Sequence, residues 1–122
     1  MRSLLTTLSF VAIVAGIAAA IVSWLTRAPH LGFRIIASVL LIDQATMALL
    51  YLRLPVDMRP IRIALRIGAG FAIAAGALIL VWSALPREGP AEIAMPAVGI
   101  LMIVHGALTL RWLASARAPE SA

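Results

Sequence analysis

Leu4 to Leu25 reads LLTTLSFVAIVAGIAAAIVSWL, with no charged residue in the run. A helix of that length, at about 1.5 Å per residue, extends about 33 Å and crosses a hydrocarbon core of about 30 Å. Three further stretches share the pattern: Ile35–Leu54, Ile63–Leu85 and Ile93–Leu113. Only Asp43 and Gln44 interrupt the middle of the second. These uniform runs do not alternate as the strands of a membrane barrel do, and open strands leave backbone groups unpaired in lipid.

The rest of the chain supports this reading. Of its 122 residues 63% are hydrophobic and 12% charged, with a mean hydropathy of +1.07. A soluble domain carries about a quarter charged residues, so a water-soluble globule and a disordered tail are excluded. The formal net charge of +5 comes from ten basic residues, all arginine. Arginines at helix ends set membrane orientation, and that role takes precedence over nucleic-acid binding. An Ala-rich chain without lysine points to a GC-rich bacterial genome. There is no cysteine, so disulfides, thiolate chemistry and cysteine-based metal sites are absent. The first run is longer than a signal-peptide core and is read as a retained span.

Short connections rich in breakers join the spans: Thr26–Gly32, Pro55–Pro60 and Pro86–Pro90. Proline ends helices, and short connections make neighbouring helices antiparallel. The expected fold is all-α: an integral membrane four-helix bundle of two antiparallel transmembrane hairpins. It forms one domain over residues 1–122, with a short tail at 114–122. Arg2, Arg53, Arg59, Arg62, Arg66, Arg111 and Arg117 fall on one side, against Arg27, Arg34 and Arg87 on the other. Both termini are therefore expected in the cytoplasm of a bacterium, with the chain in its inner membrane. Trp24 and Trp82 then lie near the outer interface, and Tyr51 and Trp112 near the inner one.

Ala12–Gly16 matches Ala72–Gly76 in type, and Ser23 and Leu25 match Ser83 and Leu85 at the same offset of sixty. Spans two and four do not match at that offset. Chance agreement between Ala/Ile-rich helices therefore outweighs a duplication.

Polar residues at membrane depth are the candidates for chemistry. Asp43, Gln44, Met47 and Tyr51 share an arc of about 100°, expected to turn toward the bundle. The carboxylate is either a proton or cation site or an interhelical hydrogen bond. His105 is expected within about 6 Å of the depth of Asp43, with Thr109 one turn on and able to bond its ring. An Asp43–His105 pair would be a proton relay, and a lone satisfied histidine is the simpler alternative. His30 lies too far from His105 to share a haem, so no cofactor is expected.

No catalytic motif appears, and no enzymatic activity is expected. Ala12, Gly16 and Ala20 form a small-residue stripe on span one. Ala64, Gly68, Ala72 and Gly76 form another on span three, and Gly99 and Gly106 a lesser one on span four. Such stripes let helices approach closely, either inside the bundle or against a partner. Arg53, Arg59, Arg62 and Arg66 cluster at one membrane face, where anionic headgroups and topology anchoring share the same physics.

Small multidrug resistance transporters are of similar size and span number. Their hallmark acid lies in the first span, where this chain has none, so no residue role carries over. The expected function is that of a non-catalytic accessory or assembly subunit of a membrane complex, acting by helix association. The partners are then the bilayer and either other copies or a larger complex. The alternative is a small proton- or cation-coupled transporter, or a holin-like oligomer, using Asp43.

Overall fold

The computed structural model describes residues 2–27, 30–53, 59–85 and 94–117. Side chains are described within those ranges except at Arg2, Arg59 and 115–117. The described residues are helical apart from short turns. The elements are α1 (Arg2–Thr26), α2 (Leu31–Leu52), α3 (Arg59–Ala84) and α4 (Ala94–Arg117). Each is long and apolar enough to cross a membrane. The helices begin and end a few residues away from the apolar runs, because backbone hydrogen bonding continues into polar flanks. Thus α2 takes in Arg34, and α4 continues past Leu113 to Arg117. Glu88 and Glu92, the prolines of the second and third connections other than Pro60, and the tail from 118 lie outside the described residues.

Consecutive helices pack as antiparallel pairs. Gly99 of α4 faces Gly76 and Ile79 of α3, while Gly106 faces Ala69 and Ile73, so rising numbers on one helix meet falling numbers on the other. In the first pair, Gly16 of α1 meets Ser38 and Ile42 of α2. Cross-pair contacts join α1 to α4, α2 to α3 and α2 to α4, and among the described residues α1 and α3 do not touch. Helix α4 is the most enclosed: 44% of its apolar window is buried, against 28–33% for the others.

Exchanging α1 with α3 and α2 with α4 maps this set of helix contacts onto itself. The burial pattern repeats as well. Ser9, Ala12, Gly16 and Ala19 are buried on α1, as are Ala69, Ala72, Gly76 and Ile79 sixty positions later. On α2 the buried residues are Arg34, Ala37, Ser38, Leu41, Ala45, Ala48 and Leu52. On α4, Met95, Val98, Gly99, Met102, Gly106, Thr109 and Leu113 repeat them at an offset of sixty-one. A Cβ at Gly16 would meet the Ser38 carbonyl and Ile42; one at Gly76 would meet the Gly99 carbonyl and Ile103. The two hairpins are thus built alike, in the manner of a parallel repeat. One extra residue before α4 displaces the second match, which hides it at a fixed offset.

The core forms two clusters. One holds Leu5, Leu52, Leu65, Trp112 and Leu113, where α1 and α3 begin and α2 and α4 end. The other runs along the middle and the opposite end, through Ala12, Leu41, Ala72, Ile79, Met95 and Met102. Outward faces are also apolar. Val14, Ile67 and Leu78 are each about two-thirds exposed. In water such a continuous surface would aggregate, whereas facing lipid it carries no penalty.

Candidate functional site

His105 is completely enclosed, and its Nε2 lies 2.8 Å from Ser9 Oγ. The Ser9 hydroxyl donates to the Leu5 carbonyl at 2.8 Å. Its single hydrogen is spent there, so Nε2–H of a neutral His105 donates to Ser9 Oγ. Nδ1 then carries a lone pair with no hydrogen-bond partner among the described residues. The Thr109 hydroxyl donates to the His105 backbone carbonyl at 2.8 Å rather than to the ring. A hydroxyl one helical turn on is nearer that carbonyl than the outward-pointing imidazole. His105 therefore joins α4 to α1 through Nε2, while its Nδ1 stays without a partner among the described residues.

Asp43 faces the other way. It is exposed on the outer side of α2 and forms no hydrogen bond or ion pair among the described residues. The expectation that it turns inward is corrected. At 100° per residue, the buried face centred near Leu41, Ala48 and Leu52 lies about 170° from Asp43. The arc shared with Gln44, Met47 and Tyr51 exists, but Asp43 is its outer edge, and the other three are half-buried. The signal was on α2 itself, where Ala37, Ser38, Ala45 and Ala48 form the small-residue face that packs. With Asp43 outside and His105 bonded to Ser9, the two form no relay.

Gln44 occupies the position on α2 that His105 occupies on α4. Its amide lies against Gly68, where a Cβ would meet Oε1 at 3.3 Å. Each hairpin thus sends one polar side chain from its second helix to the first helix of the other.

The small-residue stripes are mostly internal. Ala12, Gly16, Ala72, Gly76, Gly99 and Gly106 are buried in helix contacts, Gly68 and Ala20 are half-buried, and Ala64 is exposed. The buried ones close the hairpins. Arg53 and Arg66 are exposed and Arg62 is half-buried where α2 ends and α3 begins. The Arg59 side chain lies outside the described residues.

Sequence reasoning missed a second polar cluster at the opposite end. Arg34 is only 6% exposed, with its guanidinium 5.5 Å from the centre of the Trp82 ring. Phe33 stacks on that indole at 4.3 Å, and His30 meets it edge-on at 5.5 Å. The pairing of an arginine with an indole at matched depth on adjacent helices was the available signal. Beside it, an apolar groove of about 280 Å³ runs between α2 and α3, walled by residues such as Phe33, Leu40, Phe71 and Leu78. Its walls carry no side-chain hydrogen-bonding group and suit hydrocarbon. Among the described residues no three His, Asp or Glu side chains gather as metal ligands do.

Comparison with known families, characterised proteins and solved structures gave no match.

Proposed function

We propose that this chain is a non-catalytic accessory or assembly subunit, a four-span bundle in a bacterial inner membrane with both termini cytoplasmic. It acts by helix association through the outward face of α2. The arginine excess at one end supports the orientation.

One observation carries the association. Asp43 sits about midway between Arg34 and Arg53, about 14–15 Å of helix from each, so it lies at membrane depth. A carboxylate there costs about 2.5–3.5 kcal/mol on insertion scales unless something satisfies it. The molecule supplies its own control. At the equivalent places on α4, Val104 replaces Asp43 and Ala107 replaces Thr46, both equally outward. One of two matched faces is fit for lipid; the other asks for a partner.

The test is the size of the native particle in mild detergent. Wild type is expected to run larger than one chain. Asp43→Val is expected to run as a single chain with unchanged helicity. A wild-type protein that runs alone overturns the proposal.

The same carboxylate favours a second reading, in which copies or partners meet around Asp43 and line a path for protons or cations. Loss of ion flux from loaded vesicles with Asp43→Asn would select it, because Asn keeps a hydrogen bond but carries no charge.

A further inference from the structure

We infer that the groove between α2 and α3 binds a lipophilic organic cation, its positive group at Asp43 and its apolar body between Phe33 and Phe71. The ligand approaches Asp43 from the α3 side. The inference therefore goes beyond the association reading and stands without it.

The groove holds about 280 Å³, near the lower end of the sizes that take up small molecules. Its α2 wall runs from Phe33 to Leu40, about 10 Å of helix. Phe71, Ala74 and Leu78 form the opposite wall on α3. The row through Ile36 and Leu40 continues, at helical steps of four and three, to Asp43. The exposed carboxylate thus stands one turn, about 4.5 Å along the axis, beyond the inner end of the groove. There the two helices meet through Gln44 and Gly68.

The ends of the groove differ in charge. At the outer end the Arg34 guanidinium lies beside Trp82, about 13–14 Å of helix from Asp43. A positive group is repelled there and attracted at Asp43. At membrane depth that attraction is far stronger than in water. The Phe33 and Phe71 rings suit an apolar body and themselves attract positive charge. Lipid chains can fill such a groove, but they do not call for a carboxylate at its end.

The second hairpin pair supplies a comparison. At the same register in the seam between α4 and α1, Ala94 stands for Phe33, Val11 for Phe71, Val22 for Trp82 and Val104 for Asp43. The large rings and the acid therefore occur together, on one of two seams built alike. Packing requires neither, since the other seam closes without them. A site for an apolar body bearing a charge requires both at once.

The test uses a fluorescent N-methyl styrylpyridinium dye, flat and permanently charged, and its uncharged styrylpyridine parent. Each is titrated into the full chain in mild detergent, with the signal of empty micelles subtracted and helicity checked by circular dichroism. Wild type is expected to bind the cation saturably and at least about tenfold more tightly than Asp43→Asn does, and Asp43→Glu to restore most of the affinity. The uncharged parent is expected to bind wild type and Asp43→Asn alike. Phe71→Ala is expected to weaken cation binding about fivefold, while Val11→Ala, its counterpart on the other seam, leaves it unchanged. Equal affinity of wild type and Asp43→Asn for the cation overturns the inference, as does the absence of saturable binding. Either result from a particle larger than one chain leaves the association reading standing. Saturable binding that depends on Asp43, from a particle of one chain, supports the inference and removes association.

Discussion

His105 and Ser9 are 96 residues apart in sequence, and their side chains meet 2.8 Å apart in the enclosed interior. That bond ties α4 to α1, across the two hairpins. It has a direction, because the serine hydrogen is already given to Leu5.

The direction makes the two ends of the bond unequal. Ser9→Ala leaves a buried N–H without an acceptor, and is expected to cost about 1–3 kcal/mol. His105→Leu removes that N–H together with the unpartnered Nδ1, and is expected to cost much less. In the double variant the serine change should add little. Equilibrium unfolding by SDS in mixed micelles would measure all three. Equal and additive losses would show that the bond is not the coupling element.

Glycines within the helices offer a graded series. A Cβ at Gly76 would lie 2.7 Å from the Gly99 carbonyl, so Gly76→Ala must push two backbones apart, at about 1–3 kcal/mol. Gly106→Ala meets the Ala69 carbonyl at the same distance and should behave alike. At Gly16 the nearest atom, at 2.6 Å, belongs to the flexible Ile42 side chain, so the loss should be smaller. Gly70 has nothing within 4 Å, and Gly70→Ala is expected to stabilise by up to about 1 kcal/mol through helix propensity. Thermal aggregation in detergent would rank them. Destabilisation by Gly70→Ala would sink the register.

Removing the acid should improve the isolated helix while harming assembly. Asp43→Val is expected to favour membrane insertion of α2 by about 2.5–3.5 kcal/mol, read by glycosylation reporters placed on either side of the segment. The variant should retain full helicity. A fall in helicity would mean that Asp43 makes a contact within its own chain.

Trp82 is expected to matter far more than Trp24. Trp82→Ala strips the stacked partner from Phe33 and the ring from beside Arg34, and should cost about 3–5 kcal/mol. Trp24 is 66% exposed, and its removal should stay within about 0.5 kcal/mol. Similar unfolding of the two variants would contradict the cluster.

The four helices were legible because burial of backbone polar groups in lipid demands long unbroken apolar helices, and breaker-rich connections punctuate them. Leu4–Leu25 alone announced the solvent. The site was legible only in part. His105 was recognised as an interior polar group, but its partner Ser9 was not, since a serine among apolar residues carries no signal of what lies opposite. Asp43 was recognised and misdirected, because the polar arc around it resembled an inward face. The likeness of the two hairpins was half visible: α1 and α3 match at one offset, while α2 and α4 are displaced by a single residue.

The sequence by itself determined the number, length and apolar character of the helices, since those depend only on local hydrophobicity and on where proline stops a helix. Which face of each helix turns inward was decided by packing. In a span that is apolar all round, periodicity cannot separate lipid from protein. Only close backbone approach at Gly16, Gly76, Gly99 and Gly106 fixes the rotation of the helices, and with it the outward aim of Asp43.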